Sequence, residues 1–110
     1  MSRRAVQARI LASALEELSV AMYYASEQRH NHLPVPRKEV PAARRKVESA
    51  LAVYGAAVAD DKAAIAEGSV IHAFVCEEHD HGQAELTGWI ASLRRQAARW
   101  EAMATSEGPG

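Results

Sequence analysis

Cysteine occurs once in these 110 residues, at Cys76, so no internal disulfide staples the chain. A reducing, cytoplasmic setting is therefore the expected one. Aromatic residues are scarce, at one Phe, two Trp and three Tyr. Six glycines and four prolines leave only five punctuation points: residues 30–41, Gly55, Gly68-Ser69, Gly82 and the Gly108-Pro109-Gly110 end. Neither sign of charge dominates, because 13 basic side chains face 14 acidic ones and the net charge is −1. A non-specific nucleic-acid binder carries a basic excess, so that class loses ground. Disorder pairs low hydrophobicity with high net charge, and it is disfavoured on the same count.

Long hydrophobic runs are missing as well. The longest uncharged stretch, residues 49–59, is far short of a membrane span. Arg3-Arg4 does not open an export signal, because Arg9 and then Glu16-Glu17 interrupt any apolar segment behind it.

Apolar residues make up 48% of the chain, but 23 of these 53 are alanine, while Ile, Leu, Val and Phe together number 21. Alanine buries little area, so the core needs either close helix–helix packing or burial against another subunit. The rest is rich in Ala, Glu, Arg, Leu and Gln, all strong helix formers. The Ala- and Arg-rich composition suggests a high-GC bacterial or phage source.

Spacing predicts three helices. Over residues 3–29, Ala8, Leu11, Leu15, Leu18, Met22 and Ala25 recur at steps of three and four and form a heptad seam. Val6, Ile10, Val20 and Tyr24 form a second apolar strip, the pattern of a helix sandwiched between partners. Pro34 and Pro36 end this helix. Pro41 is placed as first residue of a second helix over residues 41–67, with Val47, Leu51, Tyr54, Val58 and Ile65 on its seam. Asp61 interrupts that seam, Gly55-Ala56-Ala57 offers a smooth surface for another backbone, and Gly68 is expected to end the helix, with Ser69 capping the next. Residues 70–76 contain β-favouring types but do not alternate, so helix is the preferred reading. The last helix turns Leu86, Trp89, Ile90, Leu93, Ala97 and Trp100 inward, with a kink or split at Gly82 or Gly88.

The densest polar cluster runs from Cys76 to His81. If helical, Glu78, His81 and Glu85 share one face with Ile71, Phe74 and Trp89. Carboxylates on such a stripe are costly unless paired, protonated or metal-bound. Asp61 is expected near them across a hairpin turning at Gly68. A Glu-x-x-His pair with carboxylates from a facing helix is the ligand logic of di-iron bundles. Residues 16–24 and Glu78-x-x-His81 resemble short stretches of ferritin-like helices. The resemblance implies a metal-binding bundle using Asp61, Glu78, His81 and Glu85. It covers these two fragments alone, Glu17 points away from the seam, and a full centre needs a second copy from a symmetry mate. The plainer alternative is a solvated helix start or loop over residues 77–85. A zinc reading uses His72, Cys76 and His79 on one face, against a half-buried cysteine beside surface histidines. His30 and His32 suit the carbonyl end of the first helix.

Arg37, Lys38, Arg44, Arg45 and Lys46 form the one notable basic cluster, able to meet phosphates or simply to wet a surface. A helix-turn-helix over residues 51–64 fails, because Asp61 falls where an apolar residue belongs. No nucleophile constellation and no phosphate-cradling loop occurs, so nothing in the sequence asks for catalysis.

The expected fold is all-α: a small antiparallel bundle of three long helices over residues 1–103, with a flexible tail over 104–110, completed by oligomerisation. The expected function is non-enzymatic and regulatory in type, through self-association or contact with another protein. Trp89 and Trp100 are the candidate anchors if the surface lies on the last helix. The alternative is a ferritin-like bundle holding iron or zinc.

Overall fold

The computed structural model of the chain describes residues 2–76 and 82–107. It contains four helices, α1 (Arg3–His30), α2 (Glu39–Ala57), α3 (Lys62–Cys76) and α4 (Gln83–Glu107), and no strand among the described residues. The all-helical expectation holds. The expected count of three does not: α2 ends at Ala57, α3 runs from Lys62 through the expected stop at Gly68 to Cys76, and α4 begins at Gln83, next to the split expected near Gly82.

Neighbouring helices run antiparallel. Lys46 reaches Glu17 at 3.0 Å and Arg4 pairs with Asp60, fixing α2 and its exit turn beside α1. Arg9 meets Glu101 at 3.5 Å and Arg94 pairs with Glu16, fixing α4 on the other side of α1. α3 folds back on α2, so that Gly68 faces Leu51 and Tyr54. Phe74 packs edge-on against Trp89, with centroids 5.1 Å apart, and joins α3 to α4. α1 carries the most extensive packing, against α4 and α2, whereas α3 meets α2 more lightly.

The expected seams form the core. Leu11, Leu15 and Leu18 of α1, Val47, Leu51 and Tyr54 of α2, and Leu86, Leu93 and Ala97 of α4 are buried together. Alanine deficits are met by close approach: five of the nine buried residues of α1 are Ala5, Ala8, Ala12, Ala14 and Ala25. Small side chains let helix axes draw together, and dispersion contacts then replace bulk.

The helix ends explain where the sequence reading slips. Ser2 caps α1, accepting the Ala5 N–H at 3.3 Å. At the far end His32 takes a left-handed φ of 57°. Its N–H then bonds to Arg29 O at 3.2 Å, and the Leu33 N–H to Gln28 O at 2.8 Å. The main chain of His32 thus closes the helix. α2 begins at Glu39, two residues before the expected start, and Pro41 falls in its first turn, where a missing N–H loses no helical bond.

α2 ends at Ala57, and Asp61 opens α3. Asp61 Oδ1 accepts the Ala64 N–H at 3.1 Å, and Asp61 O accepts the Ile65 N–H at 3.0 Å. Asp61 is thus a helix cap at a turn, not a polar intruder on a core seam. The helical phase resets there, leaving Ile65 exposed while Ala64, Ile71 and Val75 are buried. Gly68, the expected terminator, lies inside α3. Gly55 does not mediate a close backbone approach, because an added Cβ would meet nothing within 4 Å. The last helix does not continue through Gly82. That residue has φ 129°, a value only glycine adopts readily, and α4 starts after it. Gly88 lies within α4 without splitting it, and α4 continues to Glu107, past the expected start of a tail at 104.

Candidate interaction face

α1 has apolar side chains on two opposite faces. One is the buried seam. The other is left exposed, with Ile10 at 47%, Val20 at 64% and Tyr24 at 51% exposure. A helix covered on one side needs polar residues on the other to be satisfied in water. α1 departs from that rule along its outward face, where Ser13 and Glu17 stand between the apolar positions.

α2 extends this strip into a groove. Ala14 of α1 and Ala50 of α2 are too small to fill the space between the helices, which leaves a cavity of about 910 Å³ with Ile10 on one wall and Val53 on the other. A second hollow of about 600 Å³ shares Ser13 and Glu17 with it and continues past Val20 to Tyr24. Charges of both signs rim the face: Arg9 and Glu17 on α1, Arg45 and Lys46 on α2, with Lys46 and Glu17 paired across the groove, and Glu16 and Glu39 at the second hollow.

The expected site residues are scattered. Glu78 and His81 lie outside the described residues. Asp61 caps the beginning of α3, whereas Glu85 is in the first turn of α4, beside the end of α3 near Phe74 and Gly82. The structure therefore does not bring Asp61 and Glu85 together, because the hairpin turns at residues 58–61 and not at Gly68. Glu17 is exposed and paired with Lys46, as its position off the seam implies. Cys76 Sγ stands 3.7 Å from His72 Nε2, and both are exposed. His79 lies outside the described residues. Among the described residues no group of three or more His, Cys, Asp or Glu is placed to hold a metal ion.

Trp100 is 6% exposed and packs beside Tyr54, so it serves the core and not a contact surface. Trp89 is half-buried against Phe74. Arg37 and Lys38 are exposed before α2, Arg44 is half-buried, and Arg45 and Lys46 line the groove. The basic cluster therefore divides between a loop and the groove edge. No helix among the described residues is long and apolar enough to cross a membrane. No protein-family model matches the chain, and comparisons with curated proteins and with solved structures find no similar one.

The second strip of α1 was visible in the sequence, but its α2 wall was missed. Ala42, Lys46, Ser49, Ala50 and Val53 recur at helical spacing one step away from the Val47–Leu51–Tyr54 seam. That weak second periodicity was the available signal.

Proposed function

We propose that this protein is a non-enzymatic helical module that acts through protein–protein contact, and that the outward face of α1 and α2 pairs with the same face of a second copy. The observation that carries the reading is the exposure of Ile10, Val20 and Tyr24 along α1, with exposed Val53 across the groove from Ile10, in a chain with few large apolar side chains. Leaving them in water forgoes roughly 1.5–3 kcal/mol for each large side chain that a partner would fully bury. A two-fold contact requires a face complementary to itself. This face carries both signs of charge, Arg9 and Glu17 on α1 and Arg45 and Lys46 on α2, so opposite charges can meet across a two-fold axis.

Val20→Glu is the discriminating change. Val20 is exposed, so the variant keeps its helical circular dichroism, while its light-scattering mass falls from that of a pair to that of one chain. A Val20→Glu protein that associates as strongly as the parent places the contact elsewhere.

A further inference from the structure

The exposed strip of α1 is ordered along its length. Val6, Ile10, Ser13, Glu17, Val20 and Tyr24 follow one another at alternating steps of four and three. That spacing keeps all six on one line along the helix, as at the a and d positions of a coiled coil. Val6 is half-buried and the other five are exposed. The line spans about 27 Å at the ordinary helical rise. It is a palindrome of polarity: from either end it runs apolar, apolar, polar, polar, apolar, apolar. On its α2 side it is bordered by Ala14 and Ala21, whose small side chains leave room for another helix to approach.

We propose that two copies pair along this line with their α1 helices antiparallel and the two-fold axis level with Leu15. The inference rests on the pairing proposed above and fixes its direction and register. Antiparallel helices run in opposite senses, so each residue meets the one equally far beyond the axis. Val6 then meets the second copy's Tyr24, Ile10 its Val20, and Ser13 its Glu17. Apolar meets apolar in four of the six layers, and in the central two a hydroxyl donor faces a carboxylate acceptor. Ile10 and Val53 line the same groove, so the second copy's Val20 comes to the hollow between α1 and α2 as well. A parallel pair in register would instead stack Glu17 on Glu17, and so would an antiparallel pair centred on Glu17, so like charges disfavour both. Glu17 keeps Lys46 at 3.0 Å, and Glu16, beside the line, is paired with Arg94. Each carboxylate near the axis therefore arrives with a cation of its own chain.

The test is disulfide mapping by mass spectrometry on full chains that carry Cys76→Ser. Chains with Ile10→Cys and chains with Val20→Cys are mixed in equal amounts and oxidised. All three replaced side chains are exposed, so the fold is kept. A disulfide needs Cα atoms within about 7 Å. In the antiparallel register the two unlike positions share a layer, whereas two like positions stand ten residues, about 15 Å, apart along the axis. The expected result is the mixed disulfide in roughly tenfold excess over the two like-paired products together. Chance encounter gives the mixed product and the like-paired products in equal amount. Predominance of like-paired products means parallel pairing and overturns the proposal. So do products in the chance proportion, or scarcely any product, from a protein whose unaltered form sediments as a pair. Those results leave the pairing itself standing, whereas an unaltered protein that sediments as one chain removes both.

Discussion

The Asp61 carboxylate accepts the Ala64 N–H at 3.1 Å, and with that bond the chain turns back on itself between α2 and α3. A cap of this kind satisfies one of the donors left open at a helix start. Asp61→Ala leaves the donor to water and is expected to cost about 1 kcal/mol, within the usual range for lost caps. Asp61→Asn, which retains a capping oxygen, is expected to cost less. Urea unfolding of the two variants checks the order, and equal midpoints would remove the capping role.

The glycines separate into two kinds. At Gly68 an added Cβ would stand 3.9 Å from the Tyr54 ring, an ordinary contact, and the residue is inside α3. Gly68→Ala is expected to stabilise the fold by roughly 0.5–1 kcal/mol, because alanine is the better helix former. At Gly82 the backbone has φ 129° and the new Cβ would fall on the Phe74 ring. Gly82→Ala is expected to lower the thermal midpoint. Opposite signs in calorimetry are the predicted result.

Alkaline titration reads the surroundings of Tyr54. Its phenol is held up to about 12, from an ordinary 10.0, by burial first and then by Glu67 and Asp61. The folded state therefore holds this proton more tightly than the unfolded state does. The stability it contributes is whole below pH 10 and is lost as pH rises from there through about 12. Tyr54→Phe is expected to flatten the fall in stability over that window. Denaturant midpoints measured across it, for both proteins, are the check, and parallel curves would contradict the assignment.

Periodicity made three of the four core seams legible, because Leu11, Leu15 and Leu18, then Val47, Leu51 and Tyr54, then Leu86, Ile90 and Leu93 repeat at helical steps and are buried. What periodicity could not show was phase. Val58 and Ile65 keep a seven-residue interval through the turn, so one seam seemed to pass straight across Asp61. The turn resets the rotation, leaving Val58 buried and Ile65 exposed. Gly68 and Ser69 suggest a stop by residue type, while Asp61, a better capping signal, looks in the sequence like a fault in a seam. The apolar strip of α1 was readable, since Ile10, Val20 and Tyr24 are too widely separated from the Leu seam to share its face. Whether such a strip is covered depends on how α2 and α4 divide the circumference of α1, which is a tertiary property.

The central claim is most directly tested by sedimentation equilibrium of the unaltered protein over a range of micromolar concentrations. Pairing through the α1–α2 face predicts a mass rising with concentration toward twice 11.9 kDa. A mass that stays at 11.9 kDa throughout would contradict it.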